Sequence, residues 1–117
     1  MRRNSIDSED RIRVLHILDA CDSVLRFISG RRRENLDSDE MLLFALVRAM
    51  EIIGEAAGRV SERTRAAMPN VPWLQMAAMR NRLIHAYFDV NRDVVWRTAS
   101  DEIPALVRAL GHFREQT

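Results

Sequence analysis

One short segment carries most of the side chains that could perform chemistry. Residues 80–87 contain two arginines, an asparagine, a histidine and a tyrosine, in an apolar neighbourhood that includes Trp73, Met76 and Phe88. A guanidinium binds a phosphate through paired hydrogen bonds, an imidazole exchanges protons near neutral pH, and a phenol supplies a nucleophilic or hydrogen-bonding hydroxyl. This set of groups is suited to chemistry on a phosphodiester.

The spacing of these groups restricts how one chain can use them. On a straight helix, at about 100° per residue, Arg80 and His85 would point about 140° apart, whereas Arg80 and Tyr87 would nearly coincide. Asn81 would lie over His85. Either the helix unwinds after His85, or two copies of the chain place their motifs in one cleft across a two-fold axis. We expect the second arrangement, a homodimer with the motif at its interface, with some unwinding near Tyr87.

The elements that must position this segment are predicted to be helices, because apolar residues recur at three-to-four spacing along the chain. The first helix starts at Asp7 or Ser8 and ends at Gly30. The second starts at Asp37 with a capping-box pattern and runs to about Val60. These two helices account for the first half of the chain.

Three further helices are predicted in the second half of the chain. Ser61 caps a short helix, and the next helix covers about residues 73–86. Residues 89–91 form a break with a cap, and the last helix runs to about Phe113, with Pro104 either kinking it or opening its second half. No stretch alternates as a strand would. The predicted fold class is therefore all-α, an up-and-down helical bundle of four long helices plus one short helix.

Length and charge limit what this bundle can be. The 117 residues are expected to form a single domain over residues 1–117, with flexible ends at about 1–7 and 114–117. All 18 basic residues are arginine, and the 17 acidic residues leave a formal net charge of +1. This balance excludes a protein that coats nucleic acid through bulk charge, so any phosphate site must be local.

The sequence carries no sign of a membrane or secretory address. The longest apolar run, residues 41–47, is far shorter than the roughly 20 residues that cross a bilayer. Acidic residues rather than an apolar run follow the two arginines near the N-terminus, so no signal peptide is expected. Cys21 cannot form an internal disulfide and is expected in the core. We expect a cytoplasmic protein without membrane contact.

Two acidic residues on the second helix leave alternatives open. Glu51 and Glu55 are four residues apart, so they could act as paired carboxylates, but salt bridges with Arg48 and Arg59 or a place at a dimer interface are favoured. The two histidines outside the motif stand apart from any cluster of ligands. No metal and no cofactor are therefore expected.

Other arginines could either be solvated surface charges or contact RNA. The run at residues 31–33 is either a solvated surface or an RNA-binding patch, and the first reading is favoured. Arg82 is expected to be a solvated or RNA-facing charge rather than a catalytic group.

The motif and its surroundings resemble a known family, the HEPN domains. Arg80, Asn81, His85 and Tyr87 match the Arg-x(4-6)-His signature in the Arg-Asn-x-x-x-His-x-Tyr form of HepT-like toxins. The likeness covers about residues 10–110. Ala86 departs from the pattern, which has a glycine there. The blocks that carry the likeness are, in chain order, residues 48–56, 69–73, 80–88 and 95–96.

This resemblance implies a metal-independent endoribonuclease that acts as the toxin of a toxin–antitoxin pair. Arg80 would clamp the phosphate, His85 would be the acid–base residue, and Asn81 would orient the histidine or the phosphate. The usual partner is a small MntA-type nucleotidyltransferase antitoxin that adenylylates the motif tyrosine, here Tyr87. The added AMP would place a bulky anion where the RNA phosphate must sit.

A function of a different class stays open beside this one. The chain could be a non-catalytic helical partner subunit that binds a nucleotidyltransferase and contributes to its nucleotide site. Both functions predict a complex with that enzyme, and they differ in whether the chain cleaves RNA.

Overall fold

The protein is built almost entirely from helices. The computed structural model describes residues 6–85 and 89–115, with the backbone alone for residues 84, 85 and 115. The long helices pack around one apolar core, so the expected all-α bundle is confirmed. No helix in this described part is long and apolar enough to cross a bilayer.

Two long helices, α1 (Ser8–Ile28) and α3 (Glu40–Arg59), pack against each other in antiparallel directions through the centre of the fold. Asp7 caps α1, because its carboxylate accepts a hydrogen bond from the backbone N–H of Glu9 at 3.1 Å. Gly30 follows the end of α1 with φ +73°, in the left-handed region that glycine adopts without strain. Both helix ends agree with the sequence prediction.

A one-turn helix, α2 (Asn35–Ser38), changes where α3 begins. The prediction that Asp37 starts the second long helix is wrong, because Asp37 lies inside α2. Asp39 caps α3 instead, accepting a hydrogen bond from the backbone N–H of Leu42 at 3.0 Å. Its second carboxylate oxygen accepts from Arg31 at 3.1 Å, and this contact holds the side chain at the cap.

The segment after α3 forms three short helices: α4 (Glu62–Ala67), α5 (Trp73–Ala77) and α6 (Met79–Leu83). Ser61 caps α4 as expected, its hydroxyl accepting from the backbone N–H of Thr64 at 3.3 Å. α5 and α6 together correspond to the predicted helix over residues 73–86, which is therefore shorter than expected and interrupted by a turn at Ala78.

The end of α6 also corrects the expectation that the chain has no strand. Directly after α6, β1 (Ile84–His85) pairs in antiparallel fashion with β2 (Asp89–Val90). The backbone N–H of Asn91 donates to the carbonyl of Leu83 at 2.8 Å and extends the pairing toward the helix. Two residues per strand are too few for any alternation to be visible in the sequence.

The last part of the chain is one helical path with a local change in winding. It consists of α7 (Arg92–Arg97), a π-helical turn over Thr98–Glu102, and α8 (Ile103–Leu110), followed by the one-turn α9 (His112–Glu115). Pro104 lies in the first turn of α8. Proline has no N–H to donate to the preceding turn, so it opens the second half of the path, one of the two outcomes predicted for it.

The core lies between α1, α3, the α5–α6 pair and the α7–α8 path, which are the four long helical paths of the predicted bundle. Cys21 is fully buried there as expected, and burial raises the pKa of its thiol to about 12. The largest side chains that are fully buried are Ile17, Leu18, Leu36, Leu43, Leu46, Met50, Ile53, Met76, Met79, Leu83, Ile103 and Leu110.

A buried carboxylate ties α1 to the start of α4. Asp10 is only 1% exposed. It accepts hydrogen bonds at 2.6 Å from the hydroxyls of Ser61 and Thr64, and one at 3.1 Å from the backbone N–H of Ser61. Burial acts to raise the pKa of Asp10, but these hydrogen bonds and the charge of Arg13 outweigh it, so the net pKa lies below the usual 3.8.

A glycine allows α3 and α5 to approach closely. A Cβ atom at Gly54 would lie 3.2 Å from the carbonyl oxygen of Met76 and 3.5 Å from that of Ala77. It would also lie 3.9 Å from the backbone nitrogen of Arg80. A larger residue at this point would push the start of α6 away from α3.

We predict that Asp10→Asn lowers the free energy of unfolding by about 1–3 kcal/mol at pH 7, because the buried carboxylate that accepts three hydrogen bonds loses its charge. A carboxyl with a lowered folded pKa stabilises the fold above its unfolded pKa, and this contribution is lost as the pH falls through the folded value. The difference in the free energy of unfolding between wild type and Asp10→Asn should therefore shrink as the pH falls below about 4. Urea denaturation at pH 7, 5 and 3 measures the difference.

The matched control for this prediction is Glu9→Gln, one residue earlier in α1. The side chain of Glu9 is 73% exposed and pairs with Arg13 at 3.7 Å, so the change should cost less than about 0.5 kcal/mol. Equal losses in the two variants, or a constant difference between wild type and Asp10→Asn down to pH 3, would contradict the role given to Asp10.

We predict opposite outcomes for alanine at the two glycines of α3. Gly58→Ala should stabilise the protein by about 0.5–1 kcal/mol, because alanine favours helix and its Cβ would meet nothing within 4 Å. Gly54→Ala should not be stabilised in this way, because its Cβ would lie too close to the carbonyl oxygen of Met76. Gly54→Val should lower the free energy of unfolding by about 1–3 kcal/mol. Urea denaturation of the three variants gives the ranking, and equal stabilisation by alanine at both positions would show that the packing at Gly54 tolerates a side chain.

Candidate functional site

A single carboxylate on α3 organises the arginine of the motif. Arg80 lies on α6, its side chain is 58% exposed, and its Nε donates to Oε2 of Glu51 at 3.3 Å. The other oxygen of this carboxylate, Oε1, accepts from Nη1 of Arg48 at 3.4 Å. Glu51 is itself only 21% exposed and therefore lies between the two guanidinium groups, at the surface of the α3–α6 contact.

The local sequence explains why these groups meet. Glu51 and Gly54 are three residues apart on α3, so they lie on neighbouring positions of one helix face. Gly54 admits the backbone of α5 and the start of α6, and Arg80 is the second residue of α6. The side chain of Arg80 therefore starts close to the carboxylate of Glu51, which lies one turn from Gly54 on α3.

The arrangement leaves Arg80 able to bind an anion. The contact with Glu51 uses Nε, and among the described residues no partner is recorded for the two terminal nitrogens. Two parallel N–H donors on a rigid fork match the spacing of two oxygens on a phosphate. Glu51 thus restricts the guanidinium of Arg80, while the two terminal nitrogens of that guanidinium stay available to an anion.

The neighbours of Arg80 on α6 are placed differently. Asn81 is exposed, and its backbone N–H donates to the carbonyl of Ala78 at 3.0 Å. Arg82 is exposed, and its two terminal nitrogens donate to the carboxylate of Glu102 at 3.2 and 3.0 Å. Arg80 and Arg82 are about 200° apart on a helix. Ion pairs on opposite sides therefore hold α6 between α3 and the π-helical turn.

The backbone of His85 is extended rather than helical, and it pairs with that of Asp89. The angle of about 140° that a straight helix would impose between Arg80 and His85 therefore does not apply. The unwinding occurs before His85, earlier than expected. Tyr87 lies outside the described residues, as does the side chain of His85. The homodimer stays a prediction.

Two parts of this site were missed at the sequence level. The pairing of Glu51 with Arg48 is confirmed, but its contact with Arg80 was not predicted, nor was the pairing of Arg82 with Glu102. Gly54 was the available signal for the first contact. A glycine inside an amphipathic helix often marks the close approach of another backbone, and Glu51 lies one turn before it.

The arginine run in the link between α1 and α3 is largely compensated by acidic residues. Arg31 pairs with Asp39 at 3.1 Å. Arg33 pairs with Asp93 at 2.6 Å and with Asp37 at 3.0 Å, and these carboxylates raise the pKa of its guanidinium. These pairs favour the reading of a solvated structural surface over an RNA-binding patch. Within the described residues, no group of three or more potential metal ligands lies close enough together to hold an ion.

Comparison with known proteins places these features in a family. The family model described as Ribonuclease HepT-like matches residues 17–113. A candidate RNase of Caldanaerobacter subterraneus is 41% identical over 91 residues, which are 78% of this chain and 81% of that protein. A candidate ribonuclease HepT of Thermococcus cleftensis is 44% identical over 73 residues, 62% of this chain and 66% of that protein.

A third relative, a candidate RNase of Methanocaldococcus jannaschii, is 33% identical over 90 residues, 77% of this chain and 83% of that protein. No solved structure matches the chain. The family match spans α3, the complete α4–α6 segment and the whole motif, which are the elements that build the site. The chain therefore belongs to the HepT-like ribonuclease family.

Proposed function

We propose that the protein is an endoribonuclease that cleaves RNA at a site formed around Arg80 and His85. The observation that carries this proposal is the state of Arg80: a carboxylate holds the guanidinium through Nε, and no other described residue bonds to its two terminal nitrogens, which can therefore take a phosphate. His85 follows five residues later in an extended segment. The relatives named as RNases support the same activity.

The chemistry follows from the groups in this motif. A ribose 2′-oxygen attacks the adjacent phosphorus, the bond from phosphorus to the 5′-oxygen breaks, and the 5′-oxygen takes up a proton. His85 removes the proton from the 2′-hydroxyl or supplies the one to the leaving oxygen, since an imidazole with an ordinary pKa near 6.5 suits both tasks. Arg80 binds the phosphate and stabilises the charge that develops on its oxygens. Asn81 orients His85 or the phosphate.

Glu51 acts in this proposal as a positioning residue. A free arginine side chain samples many rotamers, and fixing it before the substrate arrives reduces the entropy lost on binding. The contact at 3.3 Å supplies this restriction. Glu51 does not touch the reacting atoms.

The remaining parts of the proposal concern the setting of the enzyme. It works without a metal ion, acts in the cytoplasm as the toxin of a toxin–antitoxin pair, and forms a homodimer with motifs from both chains in one cleft.

Phe44 and Met41 support the dimer, because they expose 55% and 83% of their surface on the same helix as Glu51. Large apolar side chains that are exposed are typical of an interaction surface.

Regulation would act on Tyr87, two residues after His85 in the chain. A cognate MntA-like nucleotidyltransferase antitoxin adenylylates its hydroxyl, which adds a bulky group with a negative charge. Steric exclusion and repulsion between like charges then keep the RNA phosphate away from Arg80.

We predict that the purified protein cleaves single-stranded RNA in the presence of excess chelator. His85→Ala should lower kcat/KM by about 10²–10⁴-fold, because the proton transfers lose their catalyst. Arg80→Ala should lower it by about 10²–10³-fold, because the charge on the phosphate is no longer stabilised. A gel assay with labelled RNA measures the rates.

The matched control is Arg108→Ala, the loss of an exposed arginine on α8, which should change the rate less than twofold. If the wild type leaves RNA intact, or if His85→Ala cleaves at the same rate, the enzyme proposal fails. The non-catalytic partner subunit then becomes the better account.

We predict that a cognate nucleotidyltransferase transfers AMP from ATP to the Tyr87 hydroxyl, releasing pyrophosphate, and that the product no longer cleaves RNA. Intact-mass analysis before and after incubation detects the addition. Tyr87→Phe removes the acceptor hydroxyl and should remain unmodified, while it keeps the groups assigned to catalysis. Addition of AMP to Tyr87→Phe would show that the acceptor is another residue.

A further inference from the structure

One carboxylate holds two exposed guanidinium groups at the edge of the site. Oε1 of Glu51 accepts from Arg48 at 3.4 Å and Oε2 accepts from Arg80 at 3.3 Å. The side chains of the two arginines are 62% and 58% exposed. Two positive charges share one negative charge, so this cluster carries a net charge of +1 at the surface.

Other arginines near the motif are compensated more fully. Arg82 has the carboxylate of Glu102 to itself among the described residues, and Arg33 lies between the carboxylates of Asp37 and Asp93. Arg48 differs because its recorded acceptor is already shared with the motif arginine. The excess charge therefore sits next to the phosphate clamp of the proposed reaction.

The geometry leaves both guanidinium groups with donors for anions. Within the part of the chain that the structure describes, Arg80 uses only Nε and keeps both terminal nitrogens, while Arg48 uses only Nη1 and keeps Nη2 and Nε. The two groups contact opposite oxygens of one carboxylate, so they are separated by no more than two hydrogen bonds and the width of that carboxylate. Glu51 also offsets the repulsion that two arginines at this distance would otherwise experience.

We propose that Arg48 binds the RNA phosphate next to the one that is cleaved. The proposal rests on the endoribonuclease function above and extends its substrate site along α3. Arg80 holds the scissile phosphate, Arg48 holds its neighbour, and Glu51 sets the distance between them. Contacts of this type are made to the backbone and do not depend on base sequence, so the substrate class is an RNA strand without a fixed base sequence at this position.

A salt titration of RNA binding tests this role. The probe is a short single-stranded RNA with 2′-O-methyl groups, which removes the attacking hydroxyl and prevents cleavage. Arg48→Ala should weaken binding about five- to tenfold at low salt and lower the slope of log K against log salt by about 0.7, the value for one phosphate contact on a single strand. With cleavable RNA, Arg48→Ala should lower kcat/KM by raising KM, while kcat stays unchanged.

Two variants serve as matched controls in this experiment. Arg48→Lys keeps the charge and should keep the slope. Arg59→Ala removes another exposed arginine of α3, about 16 Å further along the helix, and should change neither the slope nor KM. Light scattering on every variant gives the mass of the assembly.

The outcomes separate this inference from the function on which it rests. An unchanged slope in Arg48→Ala overturns the role of Arg48, and so does a fall in kcat at constant KM, since Arg48 would then act through Glu51. A smaller assembly mass in Arg48→Ala also overturns it, because Arg48 would then contact protein rather than RNA. If the wild type neither binds the probe nor cleaves RNA, the endoribonuclease proposal itself fails.

Discussion

Close packing between α3 and the α5–α6 segment is the constraint on which the candidate site depends. At Gly54 an added Cβ would lie 3.2 Å from the carbonyl oxygen of Met76, so this approach favours a residue without a side chain. The same approach brings Arg80 to Glu51, one turn away on α3. Stability and site geometry therefore share one contact, and a side chain that separates the helices would also release the guanidinium from its carboxylate.

The charge distribution shows how a nearly neutral protein can hold a phosphate site. A formal net charge of +1 attracts nucleic acid weakly over long distances. Several of the 18 arginines are committed to carboxylates of their own, as Arg33 and Arg82 are. Glu51 instead serves two guanidinium groups and leaves one positive charge in excess at the edge of the motif. A local excess of this size suits an enzyme that binds a few phosphates.

Much of the fold could be predicted because its signals are local. Ser61 and Asn91 cap their helices by bonding to backbone N–H groups three residues ahead, so residue type and spacing are sufficient. Asp37 and Asp39 both satisfied that pattern at the start of α3, but Asp37 lies inside the one-turn α2, so Asp39 is the residue that caps α3. The end of α6 was missed because the pairing of Ile84–His85 with Asp89–Val90 involves too few residues to produce a period.

By itself, the sequence determined the class of the fold, the apolar faces of its helices and the chemical groups of the motif, because each depends on residue type and short spacing. It also carried the four blocks that match the HepT-like family. Only the tertiary structure decided which carboxylate meets Arg80. Glu51 and Glu55 each have an arginine three or four residues away on α3, and Arg80 is 29 residues from the one it contacts. The choice follows from where the backbone of α5 approaches α3 at Gly54: the glycine can signal such an approach in the sequence, but only the packing decides which backbone makes it.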